Sequence, residues 1–136
     1  NAIEISNTEK QKNLIDKLHK RGARVLISSH IMKFTPADEV LKIALAHQSR
    51  GADISKIVVG AENTVQQLEN LKMINMLKEK LDVPFLFLSG GECKILRRIG
   101  GELGCCMYLC VYEYDNFATP LQPLLKKVKA IRDNMD

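Results

Sequence analysis

The sequence has no tryptophan, and aromatic residues make up only 5% of its 136 positions. Without aromatics interleaved among basic side chains, the stacking and phosphate-tracking surface of a nucleic-acid binder has no basis here. Charge of one sign is scarce as well: 20 Lys and Arg against 16 Asp and Glu leave +4, with the excess scattered. That balance suits a small anionic substrate or no charged partner at all. No apolar run approaches the roughly 18 residues a membrane-spanning helix needs, so no membrane partner is expected. Glycine and proline, at 8 and 4 residues, are too few for a collagen-like or low-complexity chain. No charged-then-apolar targeting segment opens the chain. It starts at Asn1 rather than Met, as expected of a trimmed chain or part of a longer polypeptide.

Cysteine is sparse too. Cys93, Cys105, Cys106 and Cys110 all lie in the C-terminal third, without a C-x-x-C pair, and the nearest histidine in sequence is His47. A zinc site wants ligands at such spacings, so no metal is expected, and the thiols read as reduced groups of a cytoplasmic protein. What is present is 46% apolar and 26% charged residues. That is the composition of one soluble globular domain over residues 1–136, long enough to bury roughly two-thirds of its unfolded surface.

Short apolar runs alternate with amphipathic stretches. Residues 3–6 read as a strand by analogy with the later apolar runs, and 8–21 as a helix with Leu14, Ile15 and Leu18 on one face. Residues 24–29 (RVLISS) have the continuous apolar centre of a strand buried on both faces. Thr35 is expected to cap the next helix, with Pro36 in its first position and Asp38 and Glu39 in its first turn. Val40, Leu41, Ala44 and Leu45 give that helix its stripe. Strands follow at 54–59, 85–88 and the cysteine-bearing 105–111, and helices at 64–80, 95–103 and 121–133. The third helix is expected to bury Leu68, Leu71, Ile74 and Leu77. Alternation of this kind predicts an α/β fold with parallel strands. It leaves open a five-stranded doubly wound sheet or part of a β/α barrel, whose complete form needs about 250 residues.

Few residues point to chemistry. Lys56 stands among Ile54, Ile57, Val58 and Val59. Loss of hydration there would lower its pKa and free a neutral amine as nucleophile. A strand-end lysine snorkelling to water is the ordinary alternative. His30 closes the RVLISS run, where an acid/base group of a parallel α/β fold would sit, although strand-end histidines are commonly mere surface residues. His19 and His47 read as solvated helix residues. The Ser89-Gly90-Gly91 turn would let a ligand approach the backbone, or is an ordinary loop. Arg97 and Arg98 come after it, and either could clamp a carboxylate or simply be solvated.

Taken in order, S-S-H-x-x-x-x-T-P, A-D-I-S-K-I, L-S-G-G, R-R-I-G-G-E-L-G and P-L-Q resemble the type I 3-dehydroquinate dehydratases, Schiff-base-forming β/α barrels of the shikimate pathway. The resemblance runs over nearly the whole chain and implies its place as the C-terminal five βα units of such a barrel. It implies a lyase of aromatic amino acid biosynthesis, taking 3-dehydroquinate to 3-dehydroshikimate plus water with no metal or organic cofactor. Lys56 matches the imine-forming lysine and His30 the proton-shuttling histidine. Arg98, in R-I-G-G-E, matches the arginine that holds the substrate carboxylate. Gln122 matches a substrate-contacting glutamine of the last βα loop.

The departures are specific. Ile31-Met32 stands after His30 where the family has Asp-Phe, Ala118 replaces a serine, and Lys94 and Arg97 replace a glycine and a serine. The family's Glu-x-Arg motif, a further substrate-binding arginine and the histidine-orienting glutamate have no counterpart in this chain. Such a chain is expected to be weak or inactive alone, and to associate with its own copies or be completed by the missing barrel half. The other readings are a non-catalytic, barrel-derived binding or regulatory module and a doubly wound anion-binding domain.

Overall fold

Three short strands, β1 (Leu26–His30), β2 (Ile54–Val59) and β3 (Phe85–Ser89), form one parallel sheet in the order β1-β2-β3. The structure, a computed structural model, describes residues 8–135. The helices are α1 (Thr8–His19), α2 (Ala37–Ser49), α3 (Thr64–Lys80), α4 (Leu96–Leu103) and α5 (Leu125–Arg132). Among the described residues no helix is long and apolar enough to cross a membrane. The strand expected at residues 3–6 lies outside the described residues.

Register fixes the two faces of the sheet. Ser28, Lys56 and Leu86 lie side by side, as do His30, Val58 and Leu88. Because side chains alternate along a strand, these share one face, and Ile27, Ser29, Ser55, Ile57, Phe85 and Phe87 share the other. The helices cover the second face only. Val40 and Ala44 of α2, Met73, Ile74 and Leu77 of α3 and Leu96 of α4 close over Ile57 and Phe87 in one buried cluster. Burying each of the larger side chains contributes about 1.5–3 kcal/mol. Strands taken in chain order with helices on one face make a barrel segment, since a doubly wound sheet carries helices on both.

β2 and α3 span the residues that the alternation predicts, but several details differ. β1 is not buried on both faces: Ile27 is buried, whereas Leu26, Ser28 and His30 are exposed on the face without helices. Thr35 is not the cap of α2. Pro36 takes that place with no side-chain cap, and the Thr35 hydroxyl donates to the Lys33 carbonyl at 3.3 Å. The α2 stripe turns by one position, exposing Leu45 and burying His47 completely. Likewise α3 exposes Leu68 and buries Asn70 and Met73. Its N-terminus is capped by Asn63, whose side chain accepts from the Gln66 N–H at 3.0 Å.

Residues 105–111 do not form the expected strand. One backbone bond, from Cys106 N–H to the Phe85 carbonyl, reaches β3, and the run ends in a single parallel bridge between Val111 and Leu124. A strand needs a ladder, and one bond does not make one. Met107 and Leu109 instead pack against the core as extended coil. The final helix starts at Leu125 rather than at 121, because Pro123 lacks an N–H and keeps Gln122 out of helical geometry.

Candidate active site

Lys56 lies at mid-strand in β2, on the face without helices, between Ser28 of β1 and Leu86 of β3. Parallel pairing brings the last residue of β1 up beside it. The His30 Nε2 is 3.2 Å from the Lys56 Nζ. Lys56 is half-buried, and burial first and the Arg97 charge second hold its pKa below the ordinary lysine value. His30 is lowered too, by burial, then by the charges of Lys56 and Arg97. Both shifts favour neutral forms. A neutral imidazole accepts a proton from the ammonium, leaving an amine with a free lone pair next to a group that can return the proton.

Arg97 completes this cluster. It is 6% exposed, and its Nε donates to the Ser89 carbonyl at 2.8 Å, so β3's last residue anchors it across the strand ends. Burial depresses its pKa, yet an arginine stays charged at neutral pH. A fixed cation beside Lys56 and His30 gives the site a positive field suited to an anion. Arg98 is turned the other way, with its Nη1 donating to the Lys94 carbonyl at 2.8 Å. Helical phase separates the neighbours: the buried positions of α4 are Leu96, Arg97 and Gly100, and Arg98 falls off that stripe. Matching R-I-G-G-E by letters points to Arg98, whereas the spacing of 97 and 100 on a short helix points to Arg97.

Gln122 is held apart from these three. Its N–H donates to the Thr119 carbonyl at 3.1 Å, and its own carbonyl accepts from the Tyr114 hydroxyl at 2.9 Å. It lines an open cleft of about 360 Å³ with Tyr112, Asp115, Phe117 and Ala118, and none of Lys56, His30 and Arg97 lines that cleft. The other histidines also differ in setting. His19 bonds the Asp53 carboxylate at 2.9 Å near the surface. His47 is no solvated residue: it lies between α2 and the sheet, with Nε2 2.9 Å from the Ser29 hydroxyl and Nδ1 3.0 Å from that of Ser55.

Two close backbone approaches join the segments that follow the three strands. A Cβ on Gly60 would stand 2.6 Å from the Met32 carbonyl oxygen, and Met32 itself has φ 65°. Gly91, at φ 60°, packs against the Ala61 carbonyl so closely that any Cβ would collide with it.

The sequence model of the type I 3-dehydroquinases matches residues 2–132. The chain belongs to that family. It is 36% identical over 94 residues to the 3-dehydroquinate dehydratase of Alkaliphilus oremlandii, covering 68% of this chain and 37% of that protein. It is 35% identical over 104 residues to the enzyme of that name from Bacillus licheniformis, covering 74% and 41%. Among solved structures, the type I 3-dehydroquinate dehydratase of Clostridium difficile with covalently modified comenic acid superposes with a TM-score of 0.81 at 23% identity, over 93% of this chain and 50% of that one. The chain therefore shares the family's barrel fold and spans half or less of the length of these proteins.

Proposed function

We propose that this chain supplies the reacting residues of a 3-dehydroquinate dehydratase, a cytoplasmic lyase that forms 3-dehydroshikimate and water through an imine on Lys56. The observation that carries the reading is the 3.2 Å approach of Lys56 Nζ to His30 Nε2 on the sheet face without helices. The lysine amine adds to the substrate ketone, and His30 returns a proton to the carbinol oxygen, which leaves as water. The resulting iminium draws electron density from the neighbouring carbon, whose proton passes to the neutral His30. The enamine so formed expels the β-hydroxyl, protonated by His30, as water. A water taken up from solvent then cleaves the imine and frees Lys56. His30 gains and loses protons in turn, which its depressed pKa and hydrogen bond to Lys56 suit. Arg97 is our choice for the substrate carboxylate, because it rather than Arg98 stands within charge range of both groups. Gln122 would join only if the 112–122 loop closes over the sheet.

A cytoplasmic setting is supported by the four cysteines, all of them free. Completion by another barrel half, from the same polypeptide or another copy, is supported by the exposed Leu26, Ser28 and His30 and by the chain's share of its relatives' length.

Borohydride reduction in the presence of 3-dehydroquinate tests the reading on the 136-residue chain and on any longer form of it. Ligand mass is expected on the peptide containing Lys56, and the Lys56→Met protein should gain none. An adduct on Lys126 or Lys127 instead, or no adduct on either form, overturns the assignment.

A further inference from the structure

We propose that Asn70 is a positioning residue whose buried side-chain amide ties together the C-terminal ends of β2 and β3 and, through Ser89, sets where Arg97 stands over Lys56 and His30. This deepens the reading of Lys56, His30 and Arg97 as the reacting cluster and rests on it. Asn70 lies in α3 with no exposed surface. Its Nδ2 donates to the Gly60 carbonyl at 3.0 Å and to the Ser89 hydroxyl at 2.9 Å. The Gly60 carbonyl can only accept, so the amide nitrogen must be the atom that faces it.

The contacts continue from both partners. The Ser89 hydroxyl donates to the Gly90 carbonyl at 3.3 Å, and the Ser89 backbone carbonyl accepts from Arg97 Nε at 2.8 Å. The Gly60 N–H donates to the Lys33 carbonyl at 2.9 Å, which joins the loop after β1 to the same hub. The amide thus meets the ends of β2 and β3, and Gly60 carries the link on to the loop after β1. It touches neither Lys56 nor His30, so whatever it does for them passes through Arg97 and the turn at Ser89.

The amide is a costly choice for a packing position. Its Oδ1 is buried and accepts no hydrogen bond from any described group. A leucine would fill a similar space among Met73, Ile74 and Leu77 without an unpaired carbonyl of its own, but it would leave the buried Gly60 carbonyl without this donor. What only the amide supplies is two directed donors at a point where two strand ends must be held in register.

The test reads Arg97 and Lys56 by side-chain NMR of the 136-residue chain with no carbonyl ligand, so its result stands apart from trapping at Lys56. In Asn70→Leu, solvent exchange of the Arg97 Nε–H should quicken about tenfold, as loss of one hydrogen bond brings. The Lys56 titration should move up toward the ordinary lysine range. Ser89→Ala removes only the hydroxyl link and should loosen Arg97 in the same direction, which keeps the proposal testable if Asn70→Leu does not fold. Arg97 exchange and Lys56 titration unchanged in the folded variants, whatever their stability, would make Asn70 a packing residue and overturn the proposal.

Discussion

A buried neutral histidine makes folding sensitive to acid, and His47 is such a group. Burial first, and then the nearby Arg50 charge, lower its pKa to about 4 from the ordinary 6.5. The unfolded chain therefore takes up the proton first. Stability is full above pH 6.5 and falls as pH drops from 6.5 toward 4, by about 3 kcal/mol in all. Urea unfolding at pH 7 and pH 4.5 should show most of that loss in the parent chain. His47→Gln, which can still bond Ser29 and Ser55, should lose less than half as much. Equal losses in both proteins would place the acid sensitivity elsewhere. The sequence did hold the signal for this residue, since Val40, Ala44 and His47 recur at helical spacing. Hydropathy hid it, because histidine counts as polar and Leu45 looked the better core residue. The same bias concealed Arg97 and Asn70, whose helical phase puts them inside while their chemistry suggests water.

Elements were legible where periodicity and flanking signals agree. β2 has its β-branched run and α3 its Asn63 cap, and both span the residues that pattern reading assigns. Residues 105–111 are as apolar as a strand, but an apolar run becomes one only when a neighbouring ladder holds it, and that is tertiary information. The turn after β3 was readable only as flexible glycine, and its geometry is the opposite. Gly91 sits at φ 60° against Ala61, whose carbonyl accepts from the Glu92 N–H at 2.8 Å. This contact fixes where α4 begins and hence where Arg97 points. Gly91→Ala meets both left-handed strain and a backbone collision, so unfolding free energy should drop by more than about 2 kcal/mol at unchanged m-value. A loss under about 0.5 kcal/mol would mean that the turn is free to shift and does not set the helix.

At the scale of the whole molecule, the two faces of the sheet are unequal. One carries the cluster of Ile57, Phe87, Met73 and Leu77, while the other buries Val58, Leu86 and Leu88 but presents Leu26, 40% exposed, with Ser28 and His30 along β1. An apolar side chain on the sheet face that bears the reacting pair is where a barrel would place interior packing, with layers drawn from alternate strands. Covering it removes apolar area from water at about 25 cal/mol per Å², and a second chain can do so if no segment of the same chain does. The 136-residue chain should therefore sediment as dimers or larger species at tens of micromolar, through the face that bears Leu26. Leu26→Lys puts a charge into that contact and should shift the boundary to monomer. Since Leu26 lies four residues before His30 and makes no bond to Lys56, borohydride trapping at Lys56 should survive the change. A parent chain that stays monomeric across that concentration range, or a Leu26→Lys chain that associates equally well, would show that this face is not where copies meet.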